Sequence, residues 1–428
     1  MSNIKDVVIP EGWKIERLWN IADFYKWKGL PKKDIIEWWR YKCIHYWELF
    51  TNYKEVIKNI NNFTNNNKET FLSKKNDVLM PTSDVTPNWL ATASSLYENN
   101  IILGWDVLII RNNKNNLYWS FLSYYIAHDK TQVMRLVKWS TVYHLYGSDM
   151  ARFTFLLPQS IQEQEKIAEI LSTVDEAIEK TDVLIEKYKK IKTWLMEDLF
   201  TKGIDVSTWK PHTKFKKSEL GRIPESWGID TIENSWIKIE DWDRWNNYPS
   251  EGDFTSNWYC VFLNNKNILN NNILYKNIQF ISQQKDTLLR KWKLIDWDIV
   301  ITTRGTVWNI WYYNNEYFKN VRINSWMVIL RNYKTIIIKD LFINYWNHSF
   351  KSFYNVIQSW SAQPQLPIRD LYWFKFILPS IQEQEKIAEI LIEADKKIEQ
   401  EEAYKEKLGK IKKWLMNDLL TGAVRVEY

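Results

Sequence analysis

Glycine is scarce in this chain, with 11 residues in 428, where ordinary domains carry about 7%. Cysteine is scarcer still. Cys43 and Cys260 lie far apart, and neither belongs to a CxxC pair or a ligand cluster, so a reduced, metal-free protein is expected. No apolar run approaches the ~18 residues of a membrane span. The opening stretch MSNIKDVVIPEGW does not read as a signal peptide, so the expected location is cytoplasmic. Catalytic signatures are missing as well. GxxxxGK[ST], GxGxxG and HExxH do not occur, and the five histidines are scattered with none paired at i, i+4. Without a Pro-Pro pair there is no [DNS]PP[YFW] tetrapeptide of the amino-methyltransferases. No catalytic residue and no metal ligand is therefore expected in this chain.

What is present is a folded composition, 45% hydrophobic and 26% charged, with a net charge of +6 that permits a nucleic-acid partner without requiring one. Tryptophan is abundant, at 26 residues. Several stand where a turn favours glycine: Trp105 and Trp297 before an Asp, Trp308 and Trp311 after a turn.

The dominant feature is a repeat. IQEQEKIAEIL occurs at Ile161–Leu171 and, unchanged, at Ile381–Leu391. Each copy ends alike, in KIKTWLMEDLFT at Lys190–Thr201 and KIKKWLMNDLLT at Lys410–Thr421. Apolar residues at Ile167, Leu171, Val174, Ile178, Ile185, Ile191, Leu195 and Leu199 follow the 4-3 spacing of a heptad seam. Ile387, Leu391, Ala394, Ile398, Leu408, Ile411, Leu415 and Leu419 do the same. Ser160 and Ser380 can cap the two helices. Striped helices of this length need partners, and each is the natural partner of the other.

The flanking blocks repeat too. IPEGWKIERL at Ile9–Leu18 matches IPESWGIDTI at Ile223–Ile232, and FTFLL at Phe153–Leu157 matches FKFIL at Phe374–Leu378, each followed by Pro. DIVIT at Asp298–Thr302 reads as the echo of DVLII at Asp106–Ile110. The expected architecture is therefore α/β (α+β) and duplicated: a mixed globular block over 1–158, a long helix over 159–201, a linker over 202–222, a second block over 223–378, a second helix over 379–421 and a tail over 422–428.

Between their shared landmarks the blocks diverge, which suggests separate binding tasks. Thr302, Thr303, Arg304 and Thr306 cluster beside Gly305 after a strand. Arg can read guanine and Thr can reach phosphate or a thymine methyl; a tight turn with a surface arginine is the structural alternative. Arg111, Asn112 and Lys114 read as the counterpart in the first block. A second polar loop precedes each final strand, with Ser140 and Thr141 in one and Ser361, Gln363 and Gln365 in the other. Gln162, Glu163, Gln164 and Glu165 are identical to Gln382, Glu383, Gln384 and Glu385, although an apolar seam does not require it. A partner contact made twice would.

LLPQSIQEQEKIAEIL at Leu156–Leu171, LPSIQEQEKIAEIL at Leu378–Leu391, FKKSELGRIPESW at Phe215–Trp227, DIVITTRGT at Asp298–Thr306 and SAQPQLPIRDL at Ser361–Leu371 resemble the specificity (S) subunit of type I restriction–modification enzymes, over essentially the whole chain. The resemblance implies two target recognition domains, each reading half of a bipartite double-stranded DNA target in the major groove. It implies a pseudo-twofold arrangement on an antiparallel coiled coil of the two helices, which sets the spacer. It also implies two methyltransferase (M) subunits that modify adenine N6 with S-adenosylmethionine, and restriction/translocase (R) subunits that use ATP and Mg2+, with no cofactor in this chain. Trp105, Trp139, Trp297, Trp308, Trp311 and Trp360 depart from relatives, which tend to carry glycine there; strained turns and weakened DNA-binding loops are the expected consequence. The alternative reading is a non-catalytic oligomerisation scaffold with protein-binding end domains.

Overall fold

The computed structural model describes residues 9–26, 30–35, 40–67, 70–112, 114, 116–139, 141–235, 237–240, 248–256, 258–269, 272–274, 276–316, 318–331, 337–357 and 365–428, without the side chains of 32 and 351–357. The chain forms two compact units: Met1–Val183 with Glu402–Tyr428, and Leu184–Glu401.

In the first unit, β1 (Trp13–Arg17) pairs antiparallel with a late strand, Thr154–Pro158. The central sheet combines β2 (Ala22–Lys26), β3 (Val56–Ile57), β4 (Asp77–Pro81), β6 (Ser94–Leu96) and β7 (Val107–Asn112), in the order β2-β7-β4-β6-β3. Val78, Leu79 and Met80 are buried on both faces of the sheet. That is why VLM is a continuous apolar run and does not alternate. A short β5 (Ser83–Asp84) continues from β4, and α1 (Trp119–His128) covers the sheet with Phe121, Leu122, Tyr124 and Ile126 buried. A small ribbon follows, β8 (Lys138–Trp139) and β9 (Tyr143–His144), with β9 pairing β5. Then come β10 (Thr154–Pro158) and the long α2 (Ile161–Lys202).

The second unit has the same plan. β11 (Gly228–Thr231) pairs with β16 (Lys375–Leu378). Its sheet runs β12-β15-β13-β14, from β12 (Lys238–Glu240), β13 (Ile299–Thr302), β14 (Ile310–Tyr312) and β15 (Met327–Arg331). α3 (Lys339–Ile357) lies over the core and α4 (Ile381–Leu420) is the second long helix.

Register shows which strands correspond. Val107 faces Pro81 and Ile110 faces Val78; Met327 faces Thr302 and Leu330 faces Ile299. The strand DIVIT is thus the equivalent of Asp77–Pro81, and Asp106–Ile110 does not match it as the sequence comparison suggested. Both strands are buried apolar runs preceded by Asp, so period alone cannot separate them. The deciding contact is an ion pair across neighbouring strands, Asp77 with Arg111 and Asp298 with Arg331, each at 2.7 Å.

Ser160 and Ser380 accept from the backbone N–H of Glu163 and Glu383 at 3.3 and 3.4 Å, capping the long helices. The long helices pack antiparallel within each unit. In the first, Asp182 meets Lys405 at 2.5 Å and Asp175 meets Lys412 at 2.8 Å, so numbering falls on one helix as it rises on the other. In the second, Lys192 meets Asp395 at 2.6 Å while Leu199 shares a core with Ile387 and Leu391. One expectation fails here. Ile191 and Ile411 are exposed, and the next residues, Lys192 and Lys412, turn inward. Steps of four and three from Leu408 reach Lys412 and Leu415, so the heptad itself places a lysine on the seam.

Of the tryptophans expected to strain turns, Trp297 and Trp308 do so, with φ of 78° and 79°. Trp209 and Trp292 join them at 59° and 72°, while Trp105, Trp139 and Trp311 have ordinary φ. Trp360 lies outside the described residues.

Candidate nucleic-acid interface

The end of β13 builds the first candidate surface. Thr303 N–H donates to Trp326 O at 2.8 Å, and Thr303 O accepts from Leu366 N–H at 2.8 Å. These two bonds stretch the next pair, Arg304 and Gln365, into a bridge. Gly305 must be small: its φ is +71°, and a Cβ there would meet Asn265 Nδ2 at 2.7 Å and the Trp326 ring at 3.2 Å. Gln365 is exposed and Arg304 half-buried. Among the described residues Arg304 has no ion-pair partner, which leaves its charge available. Thr302 and Thr303 are buried, so they are withdrawn as direct DNA contacts. Thr302 Oγ1 donates to Thr306 O, which closes the turn. Thr306 is exposed, but its hydroxyl exchanges hydrogen bonds with Asn265. Ser140, Ser361 and Gln363 lie outside the described residues.

Arg111 is also corrected. Its Nε and Nη2 both donate to Asp77 at 2.7 Å, and its guanidinium lies 5.3 Å from the rings of Tyr25 and Phe71. Such a paired, stacked guanidinium is a structural clamp. Asn112 is half-buried, and its Oδ1 accepts from Lys114 N–H at 2.8 Å in a local turn. Lys114 and Thr141 are exposed.

The true counterpart of the Arg304 bridge lies elsewhere in the first unit. Thr82 N–H donates to Asp106 O at 2.8 Å, and Thr82 O accepts from Leu145 N–H at 2.9 Å. The next pair is Ser83 with His144. Ser83 and His144 were missed because strands of two residues carry no periodic signal.

The repeated polar residues at the helix starts divide in two. Gln162, Glu165, Gln382 and Glu385 are exposed. Glu163, Gln164, Glu383 and Gln384 are buried and are withdrawn as partner contacts. Gln164 Oε1 accepts from Tyr118 N–H at 2.7 Å and its Nε2 donates to Pro158 O at 2.8 Å. Gln384 does likewise with Ile338 N–H at 2.9 Å and Pro379 O at 3.0 Å. Glu163 accepts from Trp13 Nε1 and from Arg425 Nε, at 3.2 and 2.6 Å. Glu383 accepts from Trp227 Nε1 and Ile204 N–H, at 2.9 and 2.8 Å, with His212 Nε2 at 3.0 Å. The junction of strand, helix and cover helix is thus bonded the same way twice, which explains the identity without a partner. Gln164→Ala would orphan the half-buried Tyr118 N–H and the buried Pro158 carbonyl. It should cost about 1–3 kcal/mol of stability, read by denaturant unfolding. Intact stability with lost subunit assembly would instead restore the partner role.

Burial pushes both thiols up to about 12, with Glu48 adding to the effect at Cys43 and Asp286 at Cys260. Among the described residues no group of three or more His, Cys, Asp or Glu side chains could hold a metal, and no helix is long and apolar enough to cross a membrane.

Two α/β units with matched strand frames, different polar groups on those frames and a shared pair of antiparallel long helices define a duplicated recognition scaffold. The model of the type I restriction modification DNA specificity domain matches residues 10–187 and again 244–410. The chain belongs to that family, and it is a specificity subunit of a type I restriction–modification system. It is 29% identical over 350 residues to the putative type I restriction enzyme MjaX specificity subunit of Methanocaldococcus jannaschii, covering 78% of this chain and 75% of that protein. It is 25% identical to the MjaVIII specificity subunit of the same organism, covering 98% and 94%. The S subunit structure from M. genitalium superposes with a TM-score of 0.60 at 17% identity, covering 98% of each chain. A further structure, described as the basis of complex assembly and conformational transition of the type I R-M system, gives 0.57 at 12% identity, covering 97% of this chain and all of that one. Specificity subunits are the non-catalytic members of such systems. DNA and the other subunits of the complex are the partners the family implies.

Proposed function

We propose that this chain reads a bipartite double-stranded DNA target, one half through residues 1–158 and the other through residues 223–378, with the two long helices fixing the spacer. The observation that carries this reading is the repeated frame with changed chemistry. The same backbone hydrogen bonds hold Arg304 and Gln365 in one unit and Ser83 and His144 in the other. Common positions with different donors and acceptors suit two modules that read different bases. Thr306 and Thr141 border these positions as phosphate contacts, while Lys114, beyond the opposite end of β7, is kept in the proposed surface from sequence alone. Ser140, Ser361 and Gln363 are kept in the proposed surface from sequence alone.

The family membership supports the assembly we propose. Two M subunits bind through the exposed residues of the repeat, Gln162 and Glu165 on one helix and Gln382 and Glu385 on the other. They supply adenine-N6 methylation with S-adenosylmethionine. R subunits add ATP- and Mg2+-dependent translocation and cleavage, and the complex works in the cytoplasm. Methylation mapping in cells carrying the operon should reveal two short motifs separated by a fixed number of base pairs. Altering the spacer by one base pair should abolish tight binding of the purified complex. A single contiguous motif, or binding indifferent to spacer length, would refute the proposal.

A further inference from the structure

We propose that His144 is a base-specificity residue of the first unit, with Lys138 beside it as a backbone contact. The inference rests on the bipartite reading above and extends it to a residue that neither the strand pattern nor the family match marks. Three observations place His144 there. Its neighbour Leu145 is buried and donates to Thr82 O, as buried Leu366 donates to Thr303 O. His144 therefore stands where Gln365 stands, and its cross-strand partner Ser83 stands where Arg304 does. The His144 ring is half-buried and stacked on Tyr146 at 5.9 Å, so it is partly accessible and has a ring neighbour that restrains its plane. On the opposite strand of the ribbon, Lys138 faces His144 across the pairing. Lys138 is 60% exposed, and although it reaches Asp149 at 3.0 Å, its ammonium has donors to spare. Ser83 is a weaker candidate because its hydroxyl helps to lower the pKa of the nearby Asp106 carboxylate.

The chemistry fits an edge-reading role. A neutral imidazole offers one donor and one acceptor, which suits the purine N7 acceptor or an exocyclic amine in the major groove. Gln365 offers the amide version of the same pair. The two units thus hold different readers on one frame.

The test uses the complete modification complex and duplexes in which one half-site is varied at a time. His144→Ala should relax preference at one position of the half-site read by the first unit by on the order of tenfold, leaving the other half-site unchanged. His144→Gln should shift the preferred base at that position while retaining tight binding. Lys138→Ala should weaken all duplexes alike and reduce the salt slope by about one. Unchanged base preference in both His144 variants would overturn the assignment. So would a uniform loss in them on every duplex. Wild-type complex with no half-site preference at all would overturn the bipartite reading itself, so the two failures are distinguishable.

A second inference rests on a separate observation. Trp209, Trp292, Trp297 and Trp308 occupy the left-handed backbone region, where a β-carbon is crowded and glycine is at ease. Trp297 precedes β13 as Asn76, also left-handed at 72°, precedes β4. Trp292 is buried with its indole N–H unpaired among the described residues. Trp209, Trp297 and Trp308 are exposed, so burial does not compensate the strain. The surplus of tryptophan, 26, accompanies the deficit of glycine, 11. We infer that the protein made in its cell of origin carries glycine at these four positions. Peptide sequencing by mass spectrometry of protein from that source should find glycine at all four, and tryptophan there would overturn the inference. In recombinant protein, Trp297→Gly and Trp308→Gly should each raise the melting temperature by roughly 2–4 °C; a lowered value would remove the strain argument.

Discussion

Lys412→Met is expected to destabilise the first unit by about 3–5 kcal/mol. Lys412 Nζ lies 2.8 Å from both Glu55 and Asp175, and all three side chains are largely buried. Tyr124 OH donates to the same Asp175 at 2.7 Å. Removing the cation leaves two carboxylates in a low-dielectric site with only neutral donors. Lys192 holds the matching place in the second unit, but its partner Asp395 is 39% exposed. Lys192→Met should therefore cost about 1 kcal/mol or less. Denaturant unfolding of the two variants checks the contrast, and equal losses would contradict it. A pH dependence follows. Burial works against the charge on Lys412, but Glu55 and Asp175 outweigh it and raise the pKa above the ordinary 10.5. The contribution of this triad is thus fully present below that value and is lost as pH rises through the higher folded value. Alkaline unfolding should begin in the first unit, and Lys412→Met should remove that sensitivity.

Arg111 and Arg304 should separate completely. Arg111→Met would strand Asp77, whose side chain is fully buried, and should cost about 3–5 kcal/mol of stability with no selective effect on either half-site. Arg304→Ala should leave the unfolding midpoint nearly unchanged, because no described ion pair depends on it. If Arg304 meets a base edge, its loss should relax one position of the half-site read by the second unit, at about 1–3 kcal/mol. If it meets phosphate, all duplexes should weaken alike and the salt slope should fall by about one. Binding to single-half-site variants across a salt series decides. Lost stability without any DNA defect would make Arg304 structural.

The duplication and the long helices were legible because identical residues and a heptad stripe are local signals. The internal alignment of the blocks was not, because Asp106–Ile110 and Asp77–Pro81 both read as buried strands after an Asp. The strand register and the Asp77–Arg111 pair across the sheet tell them apart. Identity at Glu163 and Gln164 was visible, but its cause was not. A polar residue kept twice can face a partner or satisfy a buried junction, and the hydrogen bonds to Trp13 and Tyr118 decide for the junction. Gln365 could be singled out from its polar loop. His144 could not, because its significance lies wholly in its pairing with Ser83.

The boundary between the units cuts through both long helices, and this bears on the order in which the protein is finished during synthesis. Domains generally fold as they leave the ribosome, amino-terminal first. Residues 184–401 are one continuous stretch, and all of that unit's chain has been made once Glu401 has emerged. Residues up to Val183 are made earlier but wait for Glu402–Tyr428. That last segment brings Lys412 to Asp175, Leu419 and Leu420 to the core, and Arg425 to Glu163. The unit translated first is completed last. A premature stop just after Glu401 therefore yields a chain that holds all of the second unit, while the first lacks the segment that pairs its carboxylates and closes its core to chaperones and proteases.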